Sequence, residues 1–336
     1  MMQRCIALFG LAILVGLPIA VLWLQQAIRE EMTTPNTLEA PVQYTVAPGS
    51  GLRQVAQDLH GNGLLRHPRY WTLAVLWRRQ QEQLQAGEYR FLPAATPAEV
   101  LEQLVRGRVM LHTVTIPESW TFRRMMQELR RHPSLRQTLA GSSEAEIMAA
   151  LGTPERAPEG MFFPDTYHFP KGTSELSILR LAHRKMQQVL AEEWEQRAPG
   201  LPYASAYEAL ILASVIDKET GLASERARIA GVFVRRLQRG MRLQADPTVI
   251  YALGEDFQPP LRRAALKIDT PFNTYRHSGL PPTPISLPSR AAIHAALHPE
   301  EGEALYFVAN GDGGHHFSAT LREHNRIRQL LRRQRP

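Results

Sequence analysis

Cysteine is nearly absent: Cys5 is the only one in 336 residues. A disulfide framework and a thiolate metal site are therefore excluded. Charge of one sign is not in great excess either, since 39 Lys+Arg stand against 32 Asp+Glu for a formal charge of +7. That mild surplus favours anionic partners without choosing among them. The basic residues fall in scattered pairs (Arg123-Arg124, Arg130-Arg131, Arg235-Arg236, Arg262-Arg263, Arg332-Arg333) with no aromatic interleaving. They read as solvated helix faces, and no nucleic acid is expected as a partner. Spaced metal-ligand motifs are missing too. His315, His316 and His324 lack the HExxH arrangement, and adjacent histidines in a strand point to opposite faces, so no metal is expected. The GDGG run at 311–314 lacks the lysine and the strand-loop-helix setting of a phosphate loop; it reads as a hairpin turn, and no cofactor is expected.

Long apolar runs are also scarce, with one exception. Residues Cys5 to Leu24 (CIALFGLAILVGLPIAVLWL) carry no charge, and about 20 residues at 1.5 Å each match the roughly 30 Å of a hydrocarbon core. A transmembrane helix is expected there, with Trp23 at the interface. The segment Leu22-Trp23-Leu24-Gln25 makes a poor signal-peptidase site, so a retained anchor is favoured over a cleaved leader. Arg4 precedes the run, whereas Arg29 after it is offset by Glu30 and Glu31. A short cytoplasmic N-terminus (1–4) and an inner-membrane, single-pass protein with its bulk on the outer side follow.

What remains is of ordinary globular composition, 44% hydrophobic and 21% charged, long enough for one large and one smaller domain. A polar, proline-bearing linker is expected over 25–42. A small α+β module over 43–112 should begin with a strand at Gln43–Val46. An amphipathic helix follows on Leu52, Val55, Ala56 and Leu59, then a helix over Pro68–Arg79 and a strand at Gly87–Phe91. Thr96-Pro97-Ala98-Glu99 marks the start of a further helix by capping-box chemistry, closing near Gly107. The strand-helix-helix-strand order resembles a LysM module, a fold associated with N-acetylglucosamine-containing glycans; a plain spacer domain fits the layout equally well.

The larger domain, 113–336, is expected to be mixed α+β. Its most informative stretch is Ala206–Val215 (AYEALILASV), apolar nearly all round and so a buried helix, with polar residues only at its end as Asp217-Lys218-Glu219-Thr220. A carboxylate there feels the negative end of the helix dipole and partial desolvation, and both raise its pKa. Such a carboxyl suits a general acid. Asp217 and Glu219, two apart, point about 200° from each other. They cannot face one another across a substrate. Glu219 follows the stripe Glu208, Ile211, Leu212, Val215, leaving Asp217 to cap or support. Spacing alone leaves open that both merely solvate a helix end. After Gly221, Ser224 is expected to cap a second amphipathic helix on Ile229, Val232, Phe233 and Leu237, ending at Gly240.

Several long motifs carry a resemblance. ASVIDKETGLASERARIAGVFVRRLQRGMRLQADPTVIYALG, DTPFNTYRHSGLPPTPISLPSRAAIHAALHP, YFVANGDGGHHFSATLREHN, EGMFFPDTYHF (159–169) and IPESWT (116–121) closely resemble, in order, the endolytic murein transglycosylase family, also called MltG or YceG-like. The resemblance implies a lyase of peptidoglycan that cleaves the MurNAc-β-1,4-GlcNAc bond within nascent strands, leaves 1,6-anhydroMurNAc ends and ends elongation beside the peptidoglycan synthases. It implies Glu219 as the catalytic acid, being the second acid of the family's glutamate-lysine-glutamate motif; the first is Asp217 here, which keeps the charge but shortens the reach. For the sugar groove the candidates are Asp165, Tyr167, Asp217, Gln244, Asp246, Asn273, Tyr275, His316 and Asn325, each able to offer hydrogen bonds or a ring face. Two other functions compete: a non-catalytic glycan-binding scaffold, and a muramidase that uses water with Asp217 or Asp246 as second carboxylate.

Overall fold

The computed structural model describes residues 2–254 and 257–334, giving only the backbone course for 2–15 and 334. It is an α+β protein whose sheets are small and whose helices carry most of the core. The chain divides into two compact units, one of residues 1–112 with 168–172, the other of 113–167 with 173–336.

The first unit opens with helix α1 (Met2–Thr33). Among the described residues no helix is long and apolar enough to cross a membrane; most of the run expected to do so, residues 5–15, has its side chains outside the described part. Beyond it, Leu17, Ile19, Val21, Leu22 and Trp23 are exposed. The helix then runs through 25–33, within the stretch expected as linker, because Ile28 and Met32 bury against the unit's core and Glu31 accepts the backbone N–H groups of Arg66 and His67 at 3.0 and 3.1 Å. Strand β1 (Val42–Val46) pairs antiparallel with β2 (Gly87–Phe91), Tyr44 opposite Tyr89. Between them lie α2 (Leu52–Gly61) and α3 (Pro68–Trp77), which turn Val55, Leu59, Trp71 and Val75 inward, and α4 (Pro97–Val105) follows with the capping box of Thr96 and Glu99. Buried Trp71 donates its indole N–H to Pro97 O at 3.1 Å, satisfying its one polar atom.

Strands β3 (Leu111–Ile116) and β4 (Asp165–Pro170) form a second two-stranded sheet. The second unit is built from helices. These are α5 (Phe122–Arg131), α6 (Glu144–Ala150), α7 (Glu175–Glu195), α8 (Ala206–Glu219), α9 (Arg226–Gln238), α10 (Asp246–Leu253), α11 (Arg290–Leu297) and α12 (Leu321–Gln334). α8 is the central one, packed on α11, α9, α10 and α7, which is why residues 209–217 are all buried. Ser224 does not cap α9. It lies inside a 3-10 turn (Ala223–Glu225) that leads directly into the helix. A hairpin of β5 (Tyr306–Ala309) and β6 (His315–Ser318) turns through the GDGG run.

The paired arginines are not all solvated. Arg236 is buried, donating to Leu305 O at 2.7 Å and Leu243 O at 2.6 Å, and Arg235 donates to Ala304 O and Glu300 O. The pair sits where α9 meets segments that end in free carbonyls, and a guanidinium with five donors satisfies several of them at once.

Candidate active site

The end of α8 is set in place by its neighbours before any chemistry is considered. Buried Ser214 accepts the Ile285 N–H at 2.9 Å and its carbonyl accepts from Ser286 Oγ, fixing the segment 285–287 along the helix. Leu287 in turn exchanges backbone hydrogen bonds with Ser119 and Trp120. Asp217 closes the arrangement. It is buried, takes Ser119 Oγ on one oxygen and Ser289 Oγ on the other, both at 2.9 Å, and has Arg226 Nε 3.9 Å away. Burial raises its pKa, and the two serine hydroxyls and Arg226 pull it back. Asp217 therefore acts as a clamp on the last helical turn.

Glu219, two residues on, ends the helix on a different side. It is half-buried, and its carboxyl has no hydrogen-bonding partner among the described residues. Desolvation first, then the charge of Asp246, push its pKa up from 4.5 to about 8, against the opposing pull of Arg236. A carboxyl in this setting is protonated at neutral pH and free to donate.

Three of the nominated groove residues gather around it. Asp246 starts α10, and Tyr275 donates its hydroxyl to it at 2.5 Å; the charge of Glu219 reaches Tyr275 and helps to raise its pKa, burial being the larger cause. Gln244, held at φ 53, donates its backbone N–H to Thr274 O at 3.1 Å and offers its side-chain oxygen to Arg236 at 3.4 Å. Arg236 carries the positive charge of the cluster, its guanidinium 5.1 Å from the Tyr306 ring centroid. Asn273 supports from behind: it is buried, donates to Leu266 O and Ile268 O, and accepts the Tyr275 N–H at 3.0 Å, which aims the tyrosine.

Asp165 and Tyr167 have partners of their own, whereas α12 approaches the cluster: His324, beside Asn325, stacks on Tyr306 with ring centroids 5.4 Å apart. Tyr167 is buried with its hydroxyl on Phe163 O at 2.6 Å, and Asp165 pairs with Lys185. His316 on β6 and Asn325 on α12 are exposed, without a side-chain hydrogen bond among the described residues. Its neighbour His315 instead turns inward to Glu225 at 2.7 Å, the opposite-face behaviour expected of adjacent strand residues.

Besides Arg236, two residues escaped the sequence reading. Lys218, between the two acids, lines a cavity of about 770 Å³ with Glu159, Phe122, Ile250, Tyr251 and Phe272. Glu159 is buried at its wall, accepting the Phe122 N–H at 2.9 Å and the Tyr251 hydroxyl at 3.2 Å, and burial pushes its pKa up to about 7. Lys218 has no hydrogen bond or ion pair among the described residues, and burial lowers its pKa. The available signal for Glu159 was a lone acid opening an apolar run, EGMFF.

The cluster holds the parts an acid–base centre needs: a carboxyl with raised proton affinity, a second acid bound by a tyrosine hydroxyl and a buried guanidinium, on a helical α+β scaffold. Comparison with known proteins gives the lineage. The YceG-like family model matches residues 44–329, and the chain belongs to that family. It is 37% identical over 171 residues, 51% of its length and 47% of the relative's, to a Bacillus subtilis protein named endolytic murein transglycosylase. A Streptococcus pneumoniae protein of the same name is 26% identical over 319 residues, 85% of this chain and 57% of its own. The chain spans about half the length of these curated relatives. A crystal structure of a yceG-like protein from Listeria monocytogenes superposes with a TM-score of 0.56 at 29% identity, covering 85% of this chain and 99% of that one.

Proposed function

We propose that the protein is an endolytic lytic transglycosylase of peptidoglycan, a lyase that cuts the MurNAc-β-1,4-GlcNAc bond of nascent strands and leaves 1,6-anhydroMurNAc ends. The observation that carries this reading is the unpartnered, proton-holding carboxyl of Glu219. The names of the Bacillus and Streptococcus relatives support the substrate. In this mechanism Glu219 gives its proton to the glycosidic oxygen as the bond from C1 to that oxygen breaks. The resulting carboxylate then takes the proton of the muramyl C6 hydroxyl while its oxygen bonds to C1. The proton returns to Glu219, no water is consumed, and one carboxyl suffices. Asp246 keeps the proton on Glu219 before cleavage, and Arg236 steadies the carboxylate afterwards. Gln244 and Tyr275 are assigned to hydrogen bonding with sugar hydroxyls.

The presence of Asp246 beside Glu219 favours one competing reading, a muramidase in which Asp246 activates water. Asp217, tied to two serines, is unsuited to that part. Mass analysis of digested sacculi separates the two, because hydrolysis adds water to the product and transglycosylation does not. A Glu219→Gln protein that still releases anhydro ends at the parental rate sinks both.

The reading extends to location. Residues 5–24 are assigned as an inner-membrane anchor with the rest of the chain on the outer side, supported by their uncharged sequence and by the exposed Leu17, Ile19, Leu22 and Trp23. The module over 43–112 is assigned a LysM-like role on glycan, supported by its β1-α2-α3-β2 order. The synthases that make the strands are the proposed partners.

A further inference from the structure

Helix α3 presents two opposite faces. Trp71, Ala74 and Val75 are buried, whereas Leu73, Leu76 and Trp77 are 41%, 47% and 64% exposed. Positions 73, 76 and 77 follow the 3-4 spacing of one helix side, so these large side chains form a stripe rather than scattered exceptions. The stripe does not end at the helix. Tyr70, one turn earlier, meets Trp23 of α1 edge-on with ring centroids 6.4 Å apart. Trp23 is itself 65% exposed and follows Leu17, Ile19, Val21 and Leu22, all open. An uncovered apolar surface therefore runs from the final turns of the anchor segment across Trp23 and Tyr70 onto α3.

Charge borders this surface. Residues 66–79 (RHPRYWTLAVLWRR) hold Arg66, Arg69, Arg78 and Arg79, all exposed, and no acid. A stripe of Leu and Trp edged by arginines is the composition of a helix that lies in the headgroup layer, where aromatic rings straddle the interface and guanidinium groups meet phosphate. The attachment is stiff as well. Glu31 of α1 accepts from the backbone just ahead of α3, and Ile28 and Met32 are locked into the same core, so α3 keeps one orientation to α1. No ordering cost is then incurred when the stripe meets a bilayer that α1 has already entered.

We propose that the outer face of α3 is a membrane-contact surface, with Leu73, Leu76 and Trp77 in the interfacial layer and the flanking arginines on anionic phospholipid. The small unit then lies against the bilayer instead of standing off it on a flexible stalk. This rests on the assignment of 5–24 as an anchor, and the test separates the two.

The full chain carrying Cys5→Ser receives single cysteines through Leu17→Cys, Trp77→Cys or, on the exposed side of α2, Gln57→Cys. Each is labelled with an environment-sensitive fluorophore and reconstituted in phosphatidylcholine vesicles with or without phosphatidylglycerol, some of the lipid carrying a nitroxide quencher. Quenching at 77 is expected to be several-fold that at 57, and to fall when Arg69, Arg78 and Arg79 are changed to Gln in the anionic vesicles. Quenching at 77 without quenching at 17 supports the surface and removes the anchor. Quenching at 17 with 77 no more affected than 57 overturns the surface while the anchor stands. No quenching at either position overturns both.

Discussion

Replacing Glu219 by Gln should make the protein inactive and, at alkaline pH, more stable. The carboxyl moves from 4.5 to about 8 on folding because burial and Asp246 disfavour its anion. A carboxyl whose proton affinity is raised by folding costs nothing below pH 4.5, where both states are protonated. It opposes folding increasingly as pH rises toward 8, where the unfolded chain has released its proton and the native one has not. Each tenfold change in affinity is worth about 1.4 kcal/mol, so the full effect is at most about 5 kcal/mol above pH 8. Water reaching a half-buried group screens this, and we expect about 2–3 kcal/mol. Glutamine has no proton to lose and escapes the penalty. Urea unfolding of parent and Glu219→Gln should therefore give nearly equal stabilities at pH 4.5 and a gap favouring the variant that widens to pH 8 and then stays level. Activity on sacculi should meanwhile fall by about 10²–10⁴-fold, the usual worth of a positioned acid–base group. A stability gap that does not change with pH means that Glu219 titrates as an ordinary surface acid, and the reasoning about its environment fails.

Asp217→Ala should cost about 2–3 kcal/mol in denaturant melts, because Ser119, Ser289 and Arg226 lose a shared buried acceptor; unaltered stability with lost activity assigns Asp217 to the chemistry instead. Glu159→Ala should lower stability by about 2 kcal/mol and Tyr251→Phe by about 1, since the first strands a buried backbone N–H and the second removes a single hydroxyl donor; equal losses contradict this ranking. Gly160→Ala should destabilise by about 2–4 kcal/mol, as the added Cβ would lie 2.4 Å from Pro284 Cβ at a φ of +79. A melt within error of the parent shows that the proline segment gives way.

Much of the layout was legible where local chemistry decides it. The capping box at Thr96, the strand 87–91 and the buried character of 206–215 follow from side-chain pattern; the first two appear in the structure, and burial begins at Ala209, after a half-buried first turn. The opposed directions of Asp217 and Glu219 came from helical geometry alone. What periodicity cannot carry is the identity of a partner distant in sequence. Arg236 looks solvated in a string of basic residues until the carbonyls of 243 and 305 are seen around it. Asn273 and Tyr167, chosen for chemistry suited to sugars, spend their polar atoms on nearby backbone. Glu159 was passed over because its acceptors are filled by residues 37 and 92 positions away.

The seat of Asp217 has an evolutionary corollary. Two serine hydroxyls grip a side chain of aspartate length from opposite sides. A glutamate there would be longer by one methylene and would meet at least one hydroxyl head-on. Among relatives, then, the choice of acid at this position should travel with the residues equivalent to Ser119 and Ser289, the three drifting as a set. Transplanting any one alone between lineages should yield a poorer protein than exchanging all three.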